Sequence, residues 1–341
     1  MSKHAIIIGA GVAGLATAIA LRQVGWTVAV HDRAGEPDSG GTALGMWPEA
    51  MRALDDLGLG EQIRGQAAYS RGARILDSKG ADIARIPETQ GAHLVSRGRL
   101  LATLLDALPS GDVHWARPLT LSDGLPEADL VVGADGIHSI VRASCWNSTV
   151  ERPLGTVAFR GVVDGAVASV SETWGPGALF GITPTGDGRT NWFACVRRGR
   201  LAASESGPLG TLRGLFGSWH GAVRDVLGRL EGTDIDRRAL SDVSLPHPYV
   251  RGNVALVGDA AHAMAPNLGR GACESLIDAV ALARALERAP DLADGLRHYD
   301  RNRRPRTRRI VTAARILNRV ATAERGTRLR NAAVGLLSPR R

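Results

Sequence analysis

The chain has few cysteine and aromatic residues, and it lacks any long apolar run. Its cysteines, Cys145, Cys195 and Cys273, form no CxxC pair, so we predict neither a disulfide framework nor a zinc site. The nine histidines show no HxxxH or HExxH spacing, and we expect no metal site. No apolar stretch approaches the ~20 residues of a membrane span. An apolar strand already begins at Ala5, which leaves no room for a secretion signal, so we expect a cytoplasmic protein.

Lysine is almost missing, because Lys3 and Lys79 are the only lysines in a chain of net charge +8. Arginine carries the remaining positive charge and is crowded in residues 301–309. Aromatic residues make up only 4% of the chain, and none lies in that run. The run therefore has no aromatic side chains on which nucleic-acid bases could stack. We expect no nucleic-acid partner. The run is predicted to be a solvated helix face, with an acidic partner or a dimer contact as the alternative.

The amino-terminal segment has the pattern of a nucleotide-binding unit. An apolar strand runs into the sequence GAGVAG at residues 9–14, and a helical stretch follows over residues 15–24. In this pattern Gly9 permits a tight turn, Gly11 permits close approach of a pyrophosphate, and Gly14 permits close helix–strand packing. Amide groups at the helix start then face the phosphates. Asp32 follows a second strand, where an acidic residue binds ribose hydroxyls.

Two later motifs repeat the strand-then-carboxylate pattern. Residues 128–136 read ADLVVGADG and contain Asp135, and residues 254–271 read VALVGDAAHAMAPNLGRG and contain Asp259. In both motifs an apolar strand ends at an acidic residue, and open α/β sheets bind ligands at the carboxyl ends of their strands. A nicotinamide dinucleotide would need only the first of the three motifs. The set therefore indicates a longer cofactor.

Together these motifs resemble the single-component, or group A, FAD-dependent aromatic monooxygenases of the para-hydroxybenzoate hydroxylase type. The resemblance covers nearly the whole chain and includes WPEA at residues 47–50 and the segments at residues 96–105 and 135–142. Residues 158–163 (AFRGVV) and 172–177 (ETWGPG) resemble the branch that contains urate, nicotinate and salicylate hydroxylases. The motifs are highly specific for the fold and less specific for the substrate.

The resemblance implies hydroxylation of an aromatic, heteroaromatic or polycyclic natural-product substrate. NAD(P)H would reduce FAD, and O2 would react with the reduced flavin to give a C4a-hydroperoxide that delivers one oxygen atom. Two alternatives remain open: another flavin reaction on the same fold (epoxidation, halogenation or redox-neutral cyclisation), or a nicotinamide-only or non-catalytic dinucleotide-binding protein. The halogenase motif WxWxIP is absent.

The resemblance also assigns residues. Asp259 is expected to bond the ribityl chain, and Arg97 the FAD phosphate or ribityl region. The helix that starts near Gly271 is expected to direct its positive end at the flavin. The complete expected FAD site consists of Gly9, Gly11, Ala13, Gly14, Asp32, Arg33, Arg97, Asp135, Gly136, Gly258, Asp259, Leu268, Gly269 and Gly271. The expected catalytic residues are Arg160, Pro266, Asn267 and Gly269.

Arg160 lies mid-strand between apolar residues, so we predict that it projects toward the flavin cavity. An ion pair within the sheet is the alternative. Three departures from the family pattern stand out: Arg270 and Glu274 replace glutamine, and Ile277 replaces an acidic residue. A fourth is the short connection over residues 116–127, which could weaken FAD binding.

The predicted fold class is α/β. An FAD-binding Rossmann-like domain of the glutathione reductase type would comprise residues 1–150 and 251–285. An inserted antiparallel-sheet substrate domain would comprise residues 151–250, and a helical segment residues 286–341, with one outer helix from Ala293 to about Ala333. We expect a monomer or a homodimer.

Overall fold

The structure is a computed structural model that describes residues 3–37, 42–87, 91–119, 124–146, 149–201 and 207–337. The strands are β1 (His4–Ile8), β2 (Thr27–His31), β3 (Ala43–Met46), β4 (Ala68–Ser70), β5 (Ala73–Asp77), β6 (Asp82–Ile86), β7 (Ala92–Ser96), β8 (Val113–His114), β9 (Leu130–Gly133), β10 (Glu151–Val163), β11 (Val170–Gly175), β12 (Ala178–Pro184), β13 (Thr190–Arg197), β14 (Asp236–Val243), β15 (Val250–Arg251) and β16 (Val254–Leu256). The helices are α1 (Val12–Gln23), α2 (Pro48–Asp56), α3 (Gly60–Gln66), α4 (Arg97–Asp106), α5 (Ile140–Cys145), α6 (Gly207–Phe216), α7 (Gly221–Gly228), α8 (Asp259–His262), α9 (Gly271–Arg288), α10 (Leu292–Ala321) and α11 (Thr327–Leu337).

The predicted nucleotide-binding unit forms one six-stranded sheet with the order β15-β16-β9-β1-β2-β8. Strand β1 pairs in parallel with β2 and with β9, and β9 pairs in parallel with β16. Helix α1 is buried along most of its length because it packs against α9. The carboxyl ends of β1, β9 and β16 therefore meet at one edge of the sheet, and each predicted cofactor motif follows one of these strands.

A seven-stranded sheet with the order β14-β10-β13-β12-β11-β5-β6 forms the second layer. Most neighbours in it are antiparallel, as predicted for the inserted domain, but β5 pairs with β11 in parallel. Strands β5 and β6 come from the amino-terminal part of the chain, so the predicted boundary at residue 150 does not separate the two sheets. Sequence patterns report local periodicity, whereas this pairing joins residues about a hundred positions apart.

One face of the seven-stranded sheet carries its own apolar core against α6 and α7. Phe159, Phe180 and Trp192 are fully buried there together with Phe216 of α6. Phe180 stacks on Trp192 with ring centroids 5.7 Å apart. The opposite face, which we call the open face, is left for contacts with the layer formed by the six-stranded sheet.

A three-stranded sheet with the order β3-β7-β4 connects the layers. The backbone N–H of Ala43 in β3 donates to Oδ1 of Asn191 in β13 at 2.9 Å. This bond fixes the open face of the seven-stranded sheet relative to the nucleotide-binding unit. Residues 120–123 of the short connection lie outside the described residues.

The predicted outer helix consists of two helices, since α10 ends at Ala321 and α11 begins at Thr327. Asp291 caps the start of α10 by accepting from the N–H of Asp294 at 2.8 Å. Among the described residues, no helix is long and apolar enough to span a membrane.

Candidate active site

The glycine loop between β1 and α1 shows three different spatial requirements. A Cβ on Gly9 would lie 2.5 Å from the carbonyl oxygen of Ala134, and one on Gly14 would lie 1.8 Å from the carbonyl oxygen of Gly9. A Cβ on Gly11 would have nothing within 4 Å. Gly9 and Gly14 thus permit close packing, whereas Gly11 leaves the start of α1 open. In the part of the chain that the structure describes, no side chain caps that helix start, so its amide groups are available to phosphate oxygens.

Asp32 lies at the end of β2 beside this loop. Its Oδ2 accepts from the N–H of Ala10 at 2.6 Å, and its Oδ1 accepts from the N–H of Ala34 at 2.8 Å. Each carboxylate oxygen can accept a further bond, so Asp32 can still bind a ribose hydroxyl. Arg33, the next residue, is exposed.

Asp135 follows β9 and caps α5. Its Oδ2 accepts from the N–H of Ile140 at 2.7 Å and from that of Val141 at 3.3 Å. Its Oδ1 is buried and has no hydrogen-bond partner among the described residues. Gly136 follows with a φ of 80°. An unpaired buried carboxylate oxygen is costly, and a ligand donor at this edge would satisfy it.

Asp259 follows β16 as the first residue of α8. A Cβ on Gly271 would lie 3.9 Å from its Oδ1, so the carboxylate lies beside the amino terminus of α9. The side chain faces the open site, where the protein around it displaces part of its hydration shell. This partial desolvation raises the pKa of Asp259 and outweighs the charges of His262, Arg97 and Arg142, which lower it. Arg97 begins α4 and is half-buried.

Direct contacts gather the three motifs at one place. The turn at Gly9 touches Ala134, and a Cβ on Gly258 would lie 2.7 Å from the Cβ of Ala13. Gly258 has a φ of 58°, and a residue with a side chain could not bring its backbone so close to α1. The sequence motifs thus form one continuous surface at the strand ends.

Residues 266–271 form the approach to α9. A 3-10 turn spans Pro266–Leu268, and Gly269 follows in the left-handed region with φ 59° and ψ 29°. Pro266 and Gly269 are exposed, and no side chain of the described residues caps the start of α9. The Nε1 of Trp47 is buried without a described partner, 3.7 Å from where a Cβ on Gly269 would be. The helix end therefore offers unpaired donors to a ligand.

Beneath this loop lies a network of charges that the sequence analysis missed. Nε2 of His262 lies 2.6 Å from Oδ2 of Asp278, and Arg303 bonds both Oδ1 of Asp278 and Oε2 of Glu274 at 2.6 Å. Arg270 extends the network, 2.7 Å from Glu274. Arg270 and Glu274, the two residues expected to differ from the family pattern, thus form an ion pair with each other.

The network sets the charge of its members. Burial alone would lower the pKa of His262 and raise that of Asp278, but their mutual attraction reverses both directions. Arg303 is almost completely buried, so the prediction of a solvated arginine face is wrong at this position. Its acidic partners are intramolecular, from α9. The sequence feature that could have predicted this burial is the spacing of Glu274 and Asp278, which lie four residues apart on one face of a helix.

Arg160 lies on the open face of the seven-stranded sheet, but its guanidinium is already paired. Its Nε lies 2.6 Å from Oδ2 of Asp236 on β14, and the side chain is 38% exposed. Asp236 is shared with Arg238 at 3.0 Å. The ion pair within the sheet, which was the alternative expectation for Arg160, is therefore present, and a contact of Arg160 with substrate stays a prediction. Among the described residues no cluster of metal-ligand type occurs.

Comparison with known proteins gives the family. The family model described as FAD binding domain matches residues 3–107 and 125–314, and the chain belongs to this family. It is an FAD-dependent monooxygenase of the group A aromatic hydroxylase class, as its motifs predicted.

Two relatives and one solved structure illustrate the similarity. The chain is 33% identical over 344 residues to 3-amino-4-hydroxybenzoate 2-monooxygenase of Streptomyces cremeus, covering 91% of this chain and 86% of that one. It is 30% identical over 333 residues to aurachin C monooxygenase/isomerase of Stigmatella aurantiaca, covering 91% and 87%. The structure of Klebsiella pneumoniae HpxO with FAD and uric acid matches with a TM-score of 0.88 and 25% identity, covering 98% and 93%.

Proposed function

We propose that this monooxygenase uses NAD(P)H and O2 to hydroxylate a small aromatic or heteroaromatic ring, or a polycyclic natural product that carries one. The relatives named for 3-amino-4-hydroxybenzoate and the structure determined with uric acid support this substrate class. One observation carries the proposal. The three strand-end motifs meet at one place, and the open face of the seven-stranded sheet lies above them.

The residues at the strand ends fit FAD. The open start of α1 at Gly11, the free oxygen of Asp135 and the carboxylate of Asp259 are separate polar groups along one surface, as a long dinucleotide needs. We assign FAD binding to the expected set: Gly9, Gly11, Ala13, Gly14, Asp32, Arg33, Arg97, Asp135, Gly136, Gly258, Asp259, Leu268, Gly269 and Gly271.

FAD, when bound, accepts hydride from NAD(P)H and activates O2. The protein orients the cofactor and excludes water. The uncapped start of α9 supplies amide donors and roughly half a positive charge, which favour negative charge at that place. Pro266, Asn267 and Gly269 shape this end of the site. Asn267 is held because its Oδ1 accepts from Nδ2 of Asn318 at 2.9 Å.

NAD(P)H is proposed to bind only transiently. In the part of the chain that the structure describes, β1–α1–β2 is the only strand, glycine loop and helix of the dinucleotide-binding type. Flavin reduction is then expected to depend on a bound substrate. A cytoplasmic location and a monomeric or homodimeric state remain our expectations from the sequence.

The test begins with purified protein. Absorbance and chromatography of the released cofactor should show one FAD per chain, and NAD(P)H oxidation should rise when a ring that fits the site is added from an aromatic panel. Recovery of NAD alone, or flavin reduction that is equally fast with and without every ring, would reject the proposal.

A second function has one specific observation in its favour. A relative with 30% identity is named both monooxygenase and isomerase. Another flavin reaction, such as a redox-neutral cyclisation, is therefore the alternative. Mass spectrometry separates the two, because hydroxylation leaves one oxygen atom from O2 in the product and a redox-neutral cyclisation leaves none.

A further inference from the structure

The open face of the seven-stranded sheet presents one row of side chains that crosses four strands. Glu172 on β11 is paired with Gly181 on β12, Gly181 with Phe193 on β13, and Phe193 with Arg160 on β10. Residues directly opposite one another on neighbouring strands point to the same face. Neighbours in sequence, such as Phe180 and Trp192, lie in the core on the other face. Glu172 and Phe193 therefore belong to the open face.

Contacts with the nucleotide-binding layer lie on both sides of this row. On one side, Asn191 accepts from the N–H of Ala43. On the other side, Nδ2 of Asn318 lies 3.7 Å from Sγ of Cys195 and donates to Asn267. Asn191 and Cys195 flank Phe193 along β13, roughly 14 Å apart at about 3.4 Å per residue. That span accommodates an aromatic ring between the sheet and the loop of residues 266–271.

The row supplies an aromatic wall. A Cβ on Gly181 would lie 2.1 Å from the ring of Phe193, so the ring lies across Gly181 toward Glu172. Phe193 and Glu172 are both half-buried, as expected for side chains that line a cavity. Only glycine at position 181 permits this ring position.

Glu172 is the acidic end of the row. Its Oε1 accepts a hydrogen bond from Nε1 of Trp174, and its Oε2 has no hydrogen-bond partner among the described residues. Burial raises the pKa of Glu172 to about 7, against a smaller lowering by the Trp174 bond. No basic side chain is paired with it in the described structure. The carboxyl group is therefore available to a ligand.

We propose that Glu172 is a specificity-determining residue that accepts a hydrogen bond from a hydroxyl or amino group on the aromatic substrate. The substrate ring lies against Phe193, with its hydrogen-bond donor at Oε2 of Glu172. This inference rests on the proposed hydroxylase function and adds which substituent the ring carries. A ring with a hydroxyl or amino group is bound, and the same ring with a methyl ether or no amino group is rejected.

The test uses FAD-loaded full-length protein and matched ligand pairs: phenols with their methyl ethers, and anilines with the rings that lack the amino group. Dissociation constants are read from the change in flavin absorbance. At a pH above the raised pKa of Glu172, where its carboxylate is ionised, the wild-type protein should bind the donor-bearing member about tenfold or more tightly, the effect of one hydrogen bond to a charged acceptor. Glu172→Leu should abolish this preference, and Glu172→Gln should retain part of it.

Glu231→Gln is the matched control, because this glutamate is exposed in the same layer and, among the described residues, pairs only with Arg213. FAD content and thermal unfolding of every variant show whether the fold is kept. If Glu172→Leu binds FAD and keeps the wild-type preference, the Glu172 assignment is overturned while the hydroxylase function stands. If no ring of any pair perturbs the wild-type flavin, the assignment and the proposed function are both rejected.

Discussion

At the scale of single residues, Gly11 and Gly14 have different roles in the glycine loop: Gly14 permits close packing, and Gly11 leaves room for the cofactor phosphates. A Cβ at Gly14 would strike the backbone of Gly9, so Gly14→Ala should destabilise the fold by about 1–3 kcal/mol. A Cβ at Gly11 meets no protein atom, so Gly11→Ala should fold normally and lose FAD. Thermal unfolding of the apoprotein and the FAD content of each variant measure the two effects. Normal FAD content in Gly11→Ala would show that the phosphates lie elsewhere.

Asp259 should contribute directly to cofactor affinity. Its carboxylate is open to solvent beside the start of α9, and a hydrogen bond to a charged group is worth about 1.5–3 kcal/mol. Asp259→Ala should therefore lower FAD affinity by that amount, measured by fluorescence titration of the apoprotein. Asp294→Ala, on the exposed surface of α10, is the control. Equal FAD affinity in both variants would remove Asp259 from the site.

Arg160 needs a test that separates binding from support of the sheet. If it contacts substrate, Arg160→Gln should raise KM or divert NAD(P)H oxidation to peroxide while FAD stays bound. Asp236→Asn removes the partner of the same ion pair and serves as the comparison. Equal effects of the two substitutions on stability, with normal hydroxylation, would assign Arg160 a structural role only.

At the scale of elements, α9 and its neighbours are held by the buried charge network. Arg270 and Glu274 stand one turn apart and form an ion pair, so they should be energetically coupled. Arg270→Gln and Glu274→Gln should each destabilise the protein, and the double variant should lose less than their sum by about 1–3 kcal/mol. Urea unfolding of the four proteins measures the coupling, and strict additivity would contradict it.

His262 should make stability depend on pH. Its folded-state pKa is raised above 6.5, because attraction to Asp278 outweighs burial. A raised pKa means that the stabilisation is fully present below pH 6.5 and is lost as the pH rises through the folded value. The unfolding free energy of wild type minus that of His262→Gln should thus be larger below pH 6.5 and shrink as the pH rises through the folded pKa of His262. A difference that grows with pH would contradict this charge assignment.

Sequence patterns predicted the helices and strands well where the interacting residues are close together in the sequence. The pattern of strand, glycines and helix in β1, α1 and β2 needs only neighbouring residues, and so did the strand ends that hold Asp135 and Asp259. The parallel pairing of β5 with β11 and the burial of Arg303 depend on residues far apart in sequence. Periodicity carries no information on such partners, which is why both were missed.

At the scale of the whole molecule, our proposal is that two layers enclose one site. The six-stranded sheet carries the FAD motifs, and the seven-stranded sheet offers Glu172, Phe193 and Arg160 on its open face. Neither layer alone contains both the cofactor residues and the proposed substrate residues. The central claim is therefore that cofactor and ring meet between the layers.

The most direct measurement is turnover of FAD-loaded protein under isotopically heavy dioxygen, with NAD(P)H and an aromatic ring that stimulates NAD(P)H oxidation. We predict that mass spectrometry will find one labelled oxygen atom on the ring of the product, formed in step with NAD(P)H consumption. A product without added oxygen, or with oxygen taken from water, would contradict the account.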